Sequence, residues 1–274
     1  MEKQDKGVTI RNPATANLLI DSIDRSTGTS ANFVIRKDYS ILNGFFHRIG
    51  VSEIILDWCV DNISAATDNN TFQVTTPAGT YTATLNDGSY TVEMALNAIV
   101  TLLNAAAGIG VTFSITAGVG YSILHGTAPF TVLETNLSQQ LNIVAGVNSV
   151  DQPVSCPVLL PYTYIDIVSP ELTYNQSLKD ATTNYFEQNV LYRWYLAWDG
   201  PAPVDGLGYP ILQGYQRFVV RRVLPFPKQI RWENNIPIGQ LSFQVYSSQG
   251  TLLLPSQTQN GEFEWKMTCL VSEN

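Results

Sequence analysis

The stretch EFEWKMTCLV, residues 262–271, alternates polar and apolar from Glu262 to Cys269. Phe263, Trp265, Met267, Cys269 and Val271 fall on one side, and Glu262, Glu264, Lys266 and Thr268 on the other. Successive side chains of an extended chain point to opposite faces, so this pattern specifies a half-buried β-strand and excludes a helix. The same order recurs in LSFQVY, where Leu241, Phe243 and Val245 share a face and SSQG supplies a turn before TLLL. NVLYRWYLAW sets Val190, Tyr192, Trp194, Leu196 and Trp198 against Arg193 and Tyr195. Near the other end, Ile54, Leu56, Trp58 and Val60 share one face, while Glu53, Asp57 and Asp61 share the other with Ile55 and Cys59. The strands of residues 33–61 are too few to close a sandwich alone. The outer segments, 1–66 and 151–274, therefore combine into one β-sandwich.

Between them, residues 67–150 follow a different logic. Short strands are expected at TFQVT, TYTATL, VTFSIT, YSIL and FTVLE, with one amphipathic helix from Thr91 to Asn104. Thr91 is placed to cap it, and Glu93 sits in the first turn, where the helix dipole favours an acid. Glu93, Asn97, Thr101 and Asn104 form a narrow polar stripe, while Val92, Leu96, Ile99 and Leu103 lie opposite. The helix is expected to pack on a small sheet presenting Phe72, Val74, Tyr81, Ala83, Leu85, Val111, Phe113 and Ile115, as an α/β module inserted into the sandwich. If Met94, Ala98 or Val100 is left outside that packing, it is expected to face another subunit. Residues 1–32 read as an extended arm with a short strand at Asn17–Ile20, followed by the loop chemistry of RSTGTSAN.

Composition bounds the function. Only 14% of the 274 residues are charged while 45% are hydrophobic and 11% aromatic, the balance of a folded chain with much uncharged surface. A net charge of −8 and a pI near 4.7 disfavour nucleic acid as a specific ligand. No apolar run approaches the roughly 20 residues that span a bilayer, and the first residues do not form a signal peptide. The sequons at Asn62, Asn69, Asn136 and Asn175 are read as chance in the absence of a secretory route.

No catalytic, cofactor or metal signature emerges. The two histidines, His47 and His125, have no second histidine or cysteine at ligand spacing. Cys59, Cys156 and Cys269 are odd in number and widely spaced, which suits reduced thiols. Glu53, Asp57 and Asp61 would stand ~13 Å apart along a strand, outside the roughly 5–9.5 Å of glycosidase carboxylate pairs. Glu262 and Glu264 would be close enough for a glycosidase, yet they alternate with core residues as a solvated face does. Arg217, Arg221, Arg222, Lys228 and Arg231 form a basic run without an intervening acid, a candidate subunit interface or polyanion patch. Trp198, Tyr209 and Tyr215, around the Pro/Gly-rich loop at 199–216, are candidate loop contacts, as a sugar platform in a viral spike or carbohydrate-binding sandwich or as core and interface aromatics.

The closing segment KQIRWENNIPIGQLSFQVYSSQGTLLLPSQTQNGEFEWKMTCLVSE resembles the last strands of single jelly-roll capsid proteins of double-stranded DNA viruses. IDRSTGTSANFVIRKDYSI and HRIGVSEIILDWCVDNIS resemble their opening strands, and NNTFQVTTPAGTYTATLNDGSYTVEMALNAIVTLLN resembles an element of virophage and polinton-like virion proteins. The resemblance implies a single jelly-roll β-sandwich and the role of a penton, a homopentamer at icosahedral vertices. It implies double jelly-roll major capsid and other minor capsid proteins as partners, and a virion location. No catalytic residues or cofactors come with it.

Overall fold

The computed structural model describes residues 15–42, 46, 48–117, 121–159, 162–173, 190–196, 204–210, 218–225, 229–231, 238–253 and 263–273. His47, Trp198, Tyr215, Arg217, Lys228 and Glu262 fall outside these residues. In chain order the elements are β1 Thr15–Asp21, β2 Thr27–Thr29, β3 Asn32–Arg36, β4 Arg48–Trp58, β5 Thr71–Thr76, β6 Gly79–Thr84, α1 Val92–Ala105, β7 Phe113–Ala117 and β8 Ser122–Val132. There follow α2 Asn136–Gln140, β9 Asn148–Val154, β10 Tyr164–Val168, α3 Pro170–Thr173, β11 Val190–Tyr195, β12 Phe218–Val223, β13 Gln229–Arg231, β14 Gln240–Ser247 and β15 Glu264–Ser272.

The strand order is that of a jelly roll. One sheet runs β1-β15-β4-β12 and the other β11-β10-β14-β3-β2, with every pairing antiparallel. Setting aside the short β2 and β13, the first long strand lies beside the last, and the second beside the next to last. Apart from β10 and β11, which pair with each other, neighbouring long strands alternate between the two sheets, as in a rolled-up pair of Greek keys. Between the sheets, Phe33 and Phe243 meet Trp265 across the sandwich with ring centroids 5.4 and 5.5 Å apart, and the three rings are 2% exposed or less. Trp265 Nε1 donates to the Ser30 carbonyl at 3.0 Å, which satisfies the one polar atom this side chain brings inside.

Two local irregularities move residues away from their expected faces. β4 ends at Trp58, so Cys59 and Asp61 do not continue the outward row of Glu53 and Asp57; both are buried in the segment that leaves the sandwich. In β11 a bulge opposite Ile167 and Val168 shifts the register, and Leu191, rather than Val190, enters the core beside Trp194.

Between β4 and β10 lies a third sheet, of order β6-β5-β8-β7 with β9 along β8, with helix α1 packed on β6 and β7 and the short α2 on β5. Its core is distinct from that of the sandwich and contains Phe72, Val74, Leu96, Ile99, Phe113 and Phe130; Ile63, Val154 and Leu159 join it from beyond residues 67–150. YSIL and FTVLE, expected as separate strands, belong to the single strand β8. The chain stays extended between them through a register shift from His125 to Phe130, where Gly126 lies so close to the Phe130 ring that a Cβ would sit 2.8 Å from it.

Helix α1 follows its sequence closely. Thr91 is extended and its Oγ1 accepts from the Met94 amide at 3.2 Å, a cap worth about 1 kcal/mol. Val92, Ala95, Leu96, Ile99 and Leu103 are buried, and each larger side chain contributes about 1.5–3 kcal/mol. Asn104, on the polar stripe, grips both backbone groups of Phe113, donating to its carbonyl at 2.9 Å and accepting from its amide at 2.7 Å. Met94 and Leu102 remain 52% and 39% exposed, while Ala98 and Val100 pack partly against the core. Among the described residues, no helix is long and apolar enough to cross a membrane.

Candidate functional site

Arg221 and Arg222 of the basic run do not share one surface. Arg221 and Arg222 are consecutive in β12 and therefore point to opposite faces. Arg221 pairs with Ile55 of β4 on the outer face and makes an ion pair with Glu53. Arg222 lies opposite Ile54, which is fully buried, and its guanidinium sits 4.7 Å from the centroid of the Trp194 ring of the other sheet. Arg231 continues in β13, opposite Arg48. The run read as a candidate subunit interface or polyanion patch is thus divided at Arg221 and Arg222 by strand alternation.

The outer face of this sheet mixes apolar side chains with paired charges. β12 is an edge strand whose outward residues Val219 and Val223 are 66% and 61% exposed. At the opposite edge Leu19 of β1 is 75% exposed, and Lys266 meets Asp21 at 2.7 Å. An exposed apolar edge strand is a template for pairing with another chain.

Tyr209 is where the sandwich and the third sheet are tied together, and of its two readings, sugar platform or core and interface aromatic, its contacts are those of a core aromatic. It is 6% exposed and belongs to the core of the inserted module. Its hydroxyl donates to the Val154 carbonyl at 2.8 Å and accepts from the Ser122 amide at 2.7 Å. The loop carrying it, between β11 and β12, is folded around Asp205, whose carboxylate accepts from the amides of Leu207 at 3.0 Å and Tyr209 at 2.9 Å. The other Asp205 oxygen accepts from the Glu93 amide in the first turn of α1 at 3.2 Å, and Glu93 answers by accepting from the Gly206 amide at 2.8 Å. Such reciprocal caps satisfy helix-end donors that would otherwise lack partners. A Cβ at Gly206 would stand 2.7 Å from Glu93 Oε2, so a larger residue there would displace the Glu93 carboxylate from this contact. Tyr209 is therefore an anchor, and a sugar platform cannot use it.

The remaining candidates are structural in their contacts. Glu264 accepts from the Ser22 hydroxyl and pairs with Arg25 at 3.3 Å. His125 Nδ1 lies 2.7 Å from the Asp151 carboxylate on a partly exposed sheet face. Among the described residues, no group of three or more His, Cys, Asp or Glu side chains is placed to hold a metal. Asn62 and Asn69 are buried, with their amides engaged to the Tyr90 and Asn62 carbonyls, so neither sequon is open to glycosylation in the folded chain.

All three cysteines are thiols, with Cys156 exposed and Cys59 and Cys269 buried. Burial pushes the Cys269 thiol up to about 12 from an ordinary 9.0. A thiol-specific reagent is expected to label Cys156 in the native protein and the other two after unfolding. The raised Cys269 value stabilises the fold fully below the unfolded-state value, and that contribution is lost between pH 9 and about 12, by about 1.4 kcal/mol per pH unit. Urea unfolding at rising alkaline pH should therefore weaken the wild type more steeply than Cys269→Ala.

No family model matches the chain, and no curated protein matches it in sequence. Among solved structures, it is similar to the mavirus penton protein over 95% of this chain and 99% of that chain, with a TM-score of 0.54 and 12% identity. The fold is that of the mavirus penton protein. A chain in the structure of the Sputnik virophage is similar at a TM-score of 0.43 and 12% identity, covering 96% of this chain and 98% of that one. The match to the penton protein runs through sandwich and module together, since neither alone would account for its coverage of both chains. Tyr209 and Asp205, which join the two parts, had no signal in the sequence beyond their place in a Pro/Gly-rich loop.

Proposed function

We propose that the chain is a structural virion protein, the penton, which forms pentamers at icosahedral capsid vertices. The observation that carries this reading is the shared fold, module included, with a penton protein over nearly the whole of both chains. In this reading residues 1–66 and 151–274 are the jelly roll and 67–150 the inserted domain. The partners are four further copies, a double jelly-roll major capsid protein and other minor capsid proteins, and the location is the virion. Two surfaces suit such packing: the β12 edge with Val219 and Val223, and the Met94 and Leu102 face of α1. Their apolar side chains gain by leaving water, and the adjoining ion pairs set register.

Native mass spectrometry of the full chain is expected to show a pentamer whose population rises with concentration. Val219→Glu with Val223→Glu should shift it toward monomer while the melting temperature holds, since both side chains are exposed. A chain that stays monomeric at every concentration and fails to co-assemble with a major capsid protein would overturn the reading.

A further inference from the structure

A cleft of about 850 Å³ opens between the inserted module and the sandwich. Its walls come from the turn after Ala65, from α2, from Tyr162, and from the turn following β14. The volume lies within the range of small-molecule sites, and the chemistry of the lining is unusually uniform. Asn136, Gln139, Gln140 and Gln249 supply amides, Asp68 is the one carboxylate among the described residues, and Leu252 supplies half-buried apolar surface above the buried Tyr162. Among the described residues, no lysine, arginine, histidine or cysteine lines it.

The amides of α2 are held in place at one end and open at the other. Asn136 donates through Nδ2 to the Asp68 carbonyl at 2.9 Å, and Gln139 donates through Nε2 to Glu134 at 2.7 Å. Gln140 uses its oxygen instead, accepting at 3.0 Å from Asn69, a buried residue whose own Oδ1 accepts from the Ser64 amide. Asn136 and Gln139 thus keep a carbonyl oxygen as acceptor, Gln140 keeps an amino group as donor, and the Asp68 carboxylate adds further acceptors. Holding one end of each amide lowers the ordering cost of binding through the other.

This set selects one class of ligand. A phosphate, sulfate or other anion would meet Asp68 with no cation to offset it. A metal would have a single carboxylate, far short of a coordination shell. A lipid or flat aromatic would leave the amides unpaired, at about 1–3 kcal/mol each. Hydroxyls that both donate and accept, on a ring whose C–H face can rest on Leu252, suit the amides and the carboxylate together.

We propose that this cleft binds a neutral oligosaccharide, with Asn136, Gln139, Gln140 and Asp68 hydrogen-bonding its hydroxyls and the half-buried Leu252 packing against its C–H face. The site is separate from the loop aromatics and does not depend on the penton reading, which the oligomer measurement tests by itself.

The full chain is applied to immobilised neutral oligosaccharides (glucans, mannans, chitooligosaccharides and N-acetyllactosamine chains) beside sialylated and sulfated ones. Saturable binding to at least one neutral chain is expected, with Asn136→Ala and Gln139→Ala each weakening it tenfold or more. Both side chains are exposed, so melting temperatures should be unchanged. A crystal soaked with the bound oligosaccharide provides a readout independent of any variant, and the sugar is expected beside Gln140. Absence of neutral binding, binding only to charged glycans, affinity that both variants retain, or a sugar seated elsewhere overturns the proposal.

Discussion

Replacing Trp265 with alanine is expected to cost about 3–5 kcal/mol, the range for removing a large aromatic from a packed core. The ring is 1% exposed and belongs to β15, while the rings it meets, Phe33 and Phe243, belong to the opposite sheet. Its loss therefore opens a cavity between the sheets and breaks edge-to-face contacts worth about 0.5–1.5 kcal/mol beyond area burial. It also leaves the Ser30 carbonyl without its Nε1 donor. Trp265→Phe keeps most of the volume and loses that hydrogen bond, so it should cost distinctly less. Urea unfolding followed by circular dichroism measures both. Equal effects from the two variants would show that volume at this position matters little.

Tyr209→Ala should produce a loss of similar size, about 3–5 kcal/mol, with a consequence that Trp265→Ala lacks. Truncation empties a place in the module's core and strands the Ser122 amide and the Val154 carbonyl, both bound to the same hydroxyl. Each unsatisfied buried group costs about 1–3 kcal/mol. Tyr209→Phe separates the contributions, because it keeps the ring and removes only the hydroxyl. With the anchor gone, the loop is held to α1 by Glu93 and Asp205 alone, and limited proteolysis is expected to cut within residues 204–210 in Tyr209→Ala well before the wild type. If that loop remains as resistant as in the native chain, the carboxylate contacts suffice to hold it.

The strands were legible where the pattern of burial repeats at the period of the backbone. Phe263, Trp265, Met267, Cys269 and Val271 are buried as their alternation requires, and so are Leu241, Phe243 and Val245. Helix α1 was equally legible, cap included, because a threonine before an apolar stripe states a helix start within a few residues of chain. Legibility failed where a single residue changes the count. A bulge exchanges Leu191 for Val190, and the end of β4 at Trp58 takes Asp61 out of the row it was assigned to. Neither a bulge nor a strand end carries a periodic signal, since each depends on what the neighbouring strand does.

The candidate sites divide in the same way. Adjacent arginines in a strand must face apart, so Arg221 and Arg222 could be separated from their spacing once β12 was known to be a strand. Which of them meets Glu53 and which meets Trp194 needed the partner strands. By itself the sequence determined the alternation of the strands, the capped amphipathic helix and the low charge of the surface, because these arise between residues close along the chain. Only the tertiary structure decided that Tyr209 enters the core of a module 55 residues away at Val154, that Asp205 accepts from the α1 amide of Glu93, 112 residues earlier, and that amides from α2 line a cleft with Tyr162 and Leu252. Those contacts join segments far apart along the chain, and no local preference of the chain encodes them.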